Sequence, residues 1–293
     1  MQGSLSLVRG VLYVGRHELT AHVRPYDLDG RALGPGFSFR GPDGEAARVS
    51  GLAVDEDHHV WVADGAAGRV RAFNLFGREC GGFGAAGGDV RGALTGVSDL
   101  CLLPPVGEGS DGNFTLVTTR GQRLRHALQV FEPDGRWVQS LRPEGDPRGQ
   151  FRGLRRVASD GKLIWACDAR AGVVQVFRDL EFHFLFKVPV RAGGRFEPTA
   201  VAPLQDGRMI LATGGADSSL LLLDAGGRLL RVLAEAGHAA GEVFEPEDIA
   251  LEEDSGDRSR RLAVIDRDAE RVQVFTVEGR CHGALEEMPG EAQ

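Results

Sequence analysis

The sequence predicts an all-β fold assembled from six copies of one short unit. Glycine makes up 42 of the 293 residues, about twice its usual share, and the glycines are spread evenly along the chain. This distribution indicates many tight turns between short strands. A large apolar residue followed four positions later by Gly-Arg also recurs along the chain, with a repeat length of roughly 48 residues.

Five copies of the repeat are clear, and a sixth is degenerate. The clear copies end at Gly30-Arg31, Gly77-Arg78, Gly135-Arg136, Gly227-Arg228 and Gly279-Arg280. The sixth lies between the third and fourth of these, at Phe177 to Phe182, and has lost both the glycine and the arginine. The predicted units span about 4–40, 48–85, 97–142, 154–189, 198–234 and 246–285, and an acidic tail follows at 286–293.

Each unit carries the pattern of four consecutive strands joined by hairpins. In the second unit the first three are Leu52 to Val54, Val60 to Val62 and Val70 to Phe73. One such sheet cannot bury both of its faces, whereas six arranged in a ring can. The first strands are small and apolar, which suits an innermost position, and the fourth strands carry more charge, which suits an outer edge. The sequence therefore predicts a six-bladed β-propeller with four-stranded antiparallel blades.

The two ends of the chain raise the question of how the ring closes. The first strand begins at Leu5 and the last ends at Leu285, so each blade is predicted to come from one continuous segment. The ring then closes by packing alone, or residues 1–4 or 286–293 contribute a clasp.

Composition and charge exclude several classes of protein. The net charge of −8 argues against a general binder of nucleic acid or anionic membranes. No apolar stretch approaches the length of a membrane span, so no membrane insertion is expected. The start of the chain does not read as an export signal, and the four cysteines lack the spacing of a metal site. We therefore expect a cytoplasmic protein with reduced thiols. The oligomeric state is not predicted.

The repeats resemble those of the NHL family over nearly the full chain. The best copy runs from Gly51 through Val60 to Phe73, and another runs from Leu262 to Phe275. The resemblance implies a propeller, but NHL and related propellers include enzymes, RNA binders and protein-binding scaffolds. It also marks an aspartate at the end of the second strand, which is present here as Asp64, Asp168 and Asp266. Arg69 and Arg271 follow two of these after five residues, so we expect each aspartate to cap its turn and pair with the arginine.

A ligand site is expected over the central channel, near the starts of the innermost strands. The candidate residues there are Ser50, Ser98, Asp99, Arg155, Arg156, Thr199, Glu247 and Asp248. A non-enzymatic scaffold that binds a protein partner or a ligand, without a cofactor, is the leading hypothesis. Insertions at 104–113 and 120–126 are its candidate contact loops, because binding residues concentrate on loops of a rigid framework.

Two alternatives remain open at this point. The first is a metal-dependent hydrolase or lyase resembling the gluconolactonase group, in which Asp99, Glu247 and Asp248 would hold Ca²⁺ or another divalent cation. The same acids could instead pair with Arg155 and Arg156 across the channel. The second alternative is RNA binding through the arginine clusters at 152–156 and 258–261, against which the negative net charge argues.

Overall fold

The computed structural model describes residues 3–17, 20–105, 112–121, 123–189, 197–215, 217–252 and 260–285. Within these ranges the chain forms 24 β-strands, and they assemble into six antiparallel sheets of four strands each. The described residues contain no α-helix, and so none of their segments is a helix able to span a membrane. The predicted all-β, six-bladed architecture is confirmed.

The strands of the first three blades have the following bounds. Blade 1 contains β1 (Gly3–Val8), β2 (Val11–His17), β3 (Ala21–Tyr26) and β4 (Phe37–Phe39). Blade 2 contains β5 (Val49–Val54), β6 (Val60–Asp64), β7 (Arg69–Phe73) and β8 (Glu79–Phe83). Blade 3 contains β9 (Val97–Leu103), β10 (Phe114–Thr119), β11 (Leu128–Phe131) and β12 (Trp137–Ser140).

The last three blades repeat the pattern. Blade 4 contains β13 (Leu154–Ser159), β14 (Leu163–Asp168), β15 (Val173–Arg178) and β16 (Glu181–Lys187). Blade 5 contains β17 (Glu197–Pro203), β18 (Met209–Gly214), β19 (Ser219–Leu223) and β20 (Leu229–Ala234). Blade 6 contains β21 (Pro246–Leu251), β22 (Arg261–Asp266), β23 (Arg271–Thr276) and β24 (Cys281–Ala284).

Every blade is a simple meander whose strands pair in chain order. The first strands β1, β5, β9, β13, β17 and β21 contact one another in sequence, and β21 contacts β1, so they form the inner ring. The apolar core lies between adjacent blades rather than at one centre. Between blades 1 and 2, for example, the rings of Phe39 and Phe73 lie 4.7 Å apart in one buried cluster.

The repeated glycine occupies a turn that presses against the preceding blade. Gly77 has a φ of 76°, and a Cβ at this position would lie 2.5 Å from the Cβ of Phe37 in blade 1. Gly135 has the same relation to Phe83 in blade 2, with a clearance of only 2.2 Å. A side chain is therefore excluded both by backbone conformation and by the neighbouring blade. This double constraint explains why glycine recurs at this point of the repeat.

The ring closes by packing between blades 1 and 6. Leu5, Leu12 and Leu28 of blade 1 share a buried cluster with Ile265 and Leu285 of blade 6. In the described part of the chain no sheet combines strands from both ends. Residues 1–2 and the acidic tail 286–293, which were considered as a clasp, lie outside the described residues.

The strand-end aspartates cap the turns as predicted, with one correction. Asp168 accepts a hydrogen bond from Ala171 N in the turn that follows β14 (3.3 Å), and it also accepts bonds from Arg152 N (2.9 Å) and Gly153 N (2.8 Å), just before β13. Asp266 forms an ion pair with Arg271 at 3.2 Å, as expected. Asp64 pairs instead with Arg71, at 3.3 Å, so the predicted partner Arg69 was wrong. Arg71 also reaches Glu79 on the outer strand (2.7 Å), a carboxylate that the repeat pattern did not include.

Candidate functional site

The starts of the six inner strands bring the predicted site residues together in two stacked rings. Five of the six inner strands shift register against their neighbours at this point, in blades 2 to 6. Such bulges re-aim side chains. The ring nearer the strand starts contains Gly3, Ser50, Ser98, Arg155, Thr199 and Glu247. The next ring contains Ser4, Gly51, Asp99, Arg156, Ala200 and Asp248.

Arg156 occupies the axis of the propeller. Its guanidinium donates hydrogen bonds to three backbone carbonyls, namely Ser50 O (2.8 Å), Gly3 O (2.7 Å) and Glu247 O (3.3 Å). The residue is only 5% exposed. One side chain from blade 4 therefore ties together the inner strands of blades 1, 2 and 6.

Two buried aspartates complete the environment of this guanidinium. Asp99 of blade 3 accepts a hydrogen bond from Arg156 Nη1 at 3.0 Å, and its other oxygen accepts one from Val157 N at 2.8 Å. Asp248 of blade 6 lies 3.5 Å from Nη1 and accepts hydrogen bonds from Ser4 Oγ (2.7 Å) and Leu5 N (2.9 Å). We call Arg156, Asp99 and Asp248 the axial cluster. It links five of the six blades.

Burial and charge set the protonation behaviour of the axial cluster. The pKa of Asp99 is raised to about 7, mainly by burial and in part by the negative charge of Asp248, although Arg156 and the Val157 N–H oppose the shift. Burial alone would lower the pKa of Arg156, but Asp248 and Asp99 raise it above its ordinary value. The arginine therefore stays charged, and Asp99 is the member that titrates near neutral pH.

The three acids proposed as cation ligands are not arranged around a common centre. Asp99 and Asp248 direct their oxygens at Arg156 and at backbone N–H groups, which leaves no open set for a cation that requires six to eight oxygens. Glu247 contacts the guanidinium only through its carbonyl oxygen. Across the described ranges, no group of three or more acidic, histidine or cysteine side chains is arranged to hold a metal ion. Asp99 and Asp248 pair with Arg156, as the other expectation had it, whereas Arg155 pairs with none of the three acids.

A cavity of about 520 Å³ extends from the axial cluster toward the ends of the inner strands. Its walls include partly exposed apolar side chains, among them Ala53, Leu102, Ala158 and Leu251. The axial cluster forms its floor. Its rim carries Asp55, Glu56, Asp160, Glu252 and Arg260. The sequence analysis placed the ligand site at the strand starts, whereas this cavity opens at the opposite face.

Residues that flank two long hairpins lie at the mouth of this cavity. Pro104 and Asn113, which flank the insertion of blade 3, both line it, and so do Glu252 and Arg260, which flank the long hairpin of blade 6. The intervening residues 106–111 and 253–259, the latter including Arg258, lie outside the described residues. The other predicted contact loop, at 120–126, follows β10 and therefore lies on the strand-start face; its residue 122 is not described.

The strand-start face carries the remaining candidate residues around a much smaller cavity, of about 20 Å³. Its lining consists of Arg120, Arg155, Arg156, Thr199, Glu245, Pro246, Glu247 and Arg267. Thr199 Oγ1 and Glu247 Oε2 are buried there without a hydrogen-bond partner. Ser98 is engaged elsewhere, because its hydroxyl bonds to Thr118 Oγ1 at 2.8 Å. Arg120 was predicted only as part of the contact loop 120–126, and the cavity at the opposite face was not predicted.

The comparisons with known proteins show similarity of fold only. No family model matches the chain, and no curated protein matches its sequence. Solved structures do match. Virginiamycin B lyase from Staphylococcus aureus, as the selenomethionine-substituted protein, is 14% identical with a TM-score of 0.59, covering 99% of this chain and 85% of the other.

Two further structures give the same result. A catalytically inactive virginiamycin B lyase from the same organism, with quinupristin, is 14% identical with a TM-score of 0.60, covering 97% of this chain and 84% of the other. A protein of unknown function from Bacteroides caccae is 12% identical with a TM-score of 0.53, covering 78% of this chain and 80% of the other. Together the fold and the site define a six-bladed β-propeller whose axis is closed by a buried arginine.

Proposed function

We propose that this protein is a non-catalytic propeller that binds a small neutral or cationic ligand in the cavity at the ends of its inner strands. The observation that carries the proposal is the cavity itself. Its volume of about 520 Å³ falls in the range of small-molecule sites, which are typically apolar with a few polar groups. Arg156 and its partners close the far end, so the cavity is a cup rather than an open channel.

Two of the acids beside this cavity already have structural partners, which favours binding over catalysis. Asp55 accepts hydrogen bonds from His59 N (2.7 Å) and Trp61 Nε1 (3.1 Å). Asp160 accepts hydrogen bonds from Lys162 N (2.8 Å) and Leu163 N (2.7 Å). These carboxylates hold turns, and Asp99 holds Arg156. A general acid or base would instead face the substrate within hydrogen-bond reach.

Charge around the cup limits what it would hold. Its lining contains six acids, namely Asp55, Glu56, Asp99, Asp160, Asp248 and Glu252, against Arg156 and Arg260. The resulting negative potential favours neutral or cationic molecules over anions. The similar propeller solved with quinupristin supports the view that a fold of this type presents a ligand site. Its reaction is not carried over, because the two chains are only 14% identical.

The proposal is tested with the neutral, environment-sensitive dye Nile red. Ala53→Phe and Ala158→Phe each place a ring into the cup, from blades 2 and 4. Ala225→Phe, on an exposed turn, is the matched control. We expect saturable dye fluorescence that the control retains and that both cup variants weaken at least tenfold, with melting temperatures near wild type. The proposed site would be contradicted if the dye did not bind, or if both cup variants bound it as tightly as wild type.

A further inference from the structure

The strand-start mouth lies on the other side of Arg156 from the cup. It contains four polar groups that have no hydrogen-bond or ion-pair partner among the described residues. Arg120 of blade 3 and Arg155 of blade 4 make no ion pair and no side-chain hydrogen bond with any described residue. Glu247 Oε2 of blade 6 and Thr199 Oγ1 of blade 5 are buried and unbonded. All four residues line the same small cavity.

The two arginines form a positively charged edge. Partial desolvation lowers the pKa of Arg120, and the positive charges of Arg155, Arg48 and Arg156 lower it further. Arg156 is neutralised by Asp99 and Asp248 beneath it. Among the described residues, Arg120 and Arg155 have no acid within ion-pair distance, although the negative charge of Glu247 acts to raise the pKa of Arg120. Planar guanidinium groups that are not paired with an acid are complementary to a carboxylate or a phosphate.

The other two groups require a hydrogen-bond donor. A buried carboxylate oxygen without a partner is costly, and a donor that is itself positively charged would satisfy it best. Thr199, at 8% exposure, adds a hydroxyl oxygen that can accept a hydrogen bond from the same donor. A simple anion would satisfy the arginines but would be repelled by Glu247. A simple cation would be attracted by Glu247 but repelled by the two arginines.

We propose that this mouth binds a small zwitterion of the α-amino-acid type, with its carboxylate on Arg120 and Arg155 and its ammonium toward Glu247 and Thr199. The enclosed volume of about 20 Å³ has room for one water-sized group. An ammonium group meets that limit, while the carboxylate stays outside, on the arginines. This site is separate from the cup, so it does not depend on the function proposed above.

Titration calorimetry of the full chain tests the proposal, with the twenty protein amino acids as probes. Acetate, methylammonium and inorganic phosphate are the comparison probes, because each carries charge of one sign only. We expect at least one amino acid to bind at millimolar concentration or below, and each comparison probe to bind at least tenfold more weakly. If no amino acid binds, the proposal is wrong. If phosphate or acetate binds as tightly as the best amino acid, the site is a plain anion site and the zwitterion proposal is also wrong.

Variants then assign the two ends of the ligand. Arg120→Gln and Arg155→Gln are each expected to weaken amino-acid binding about tenfold or more. Glu247→Gln is expected to weaken amino-acid binding while leaving acetate binding unchanged or improved. Arg228→Gln and Glu278→Gln, both exposed and elsewhere on the molecule, are the matched controls and should bind as wild type. Equal loss of acetate and amino-acid binding in Glu247→Gln would contradict the assigned orientation.

Discussion

Replacing Arg156 with methionine removes a buried side chain that connects blade 4 to the inner strands of blades 1, 2 and 6. Methionine fills a similar space but cannot donate hydrogen bonds. The carbonyls of Gly3, Ser50 and Glu247 each lose a donor. Asp99 and Asp248 lose the positive charge between them and remain in a buried site.

The size of the effect follows from the geometry. Removing one partner of a buried, hydrogen-bonded ion pair costs about 3–5 kcal/mol, because the remaining charge is left without compensation. An unfolding entropy near 2.1 cal/mol/K per residue gives roughly 0.6 kcal/mol/K for 293 residues. We therefore expect Arg156→Met to lower the melting temperature by about 5–8 °C. The loss should be smaller at pH 5 than at pH 8, because Asp99, whose pKa is raised to about 7, can then take up a proton.

Thermal melting followed by circular dichroism measures this effect, with calorimetry as the second probe. A matched variant, Arg156→Met with Asp99→Asn and Asp248→Asn, removes the charges of the whole axial cluster. It should recover part of the lost stability, because no unpaired charge remains in the interior. A melting temperature of Arg156→Met within about 2 °C of wild type at pH 8 would refute the structural role assigned to the axial cluster. So would a triple variant less stable than the single one.

Three further outcomes follow from the same structure. The pKa of Asp99 is raised to about 7 in the folded protein from about 3.9 when unfolded, so its protonation stabilises the fold at low pH, and this contribution is lost as the pH rises through about 7. The melting temperature should therefore fall between pH 4 and 8, and Asp99→Asn should make that fall smaller. The same pH dependence in wild type and Asp99→Asn would contradict the role given to Asp99. A Cβ on Gly51 would lie 2.6 Å from the Asp99 Cα, so Gly51→Ala should cost about 1–3 kcal/mol in urea unfolding, while Gly88→Ala, with nothing within 4 Å, should be nearly neutral. Leu285→Ala should cost about 2–5 kcal/mol in the same assay if packing closes the ring; a loss below about 0.5 kcal/mol would argue against that closure.

The architecture could be predicted from the repeat because its glycines lie where each blade contacts the preceding one. Gly77 and Gly135 touch an aromatic side chain of the preceding blade, so their spacing measures the blade period. The degenerate fourth unit obeys the same geometry by other means. Its turn uses Asp179 and Leu180, both with positive φ, where the other blades use glycine. The pattern therefore weakened in sequence without changing the fold.

The candidate site was predictable in position but not in its contacts. The positions chosen before each inner strand do lie in two rings at the axis, since alignment of the repeats fixes their height. Which acid meets which arginine depends on side chains that reach across the axis, from Arg156 to Ser4, Asp99 and Asp248. No sequence spacing encodes those distances. The cup at the other face was not predicted, because the apolar residues in its walls have the same sequence pattern as residues of the core.

Melting of the wild-type protein with millimolar calcium, compared with excess EDTA, tests most directly whether Arg156 rather than a cation satisfies Asp99 and Asp248. The arrangement described here predicts the same melting temperature in both conditions. A calcium-dependent rise in melting temperature that Asp99→Asn abolishes would contradict it, because those carboxylates would then be ligands of a metal ion.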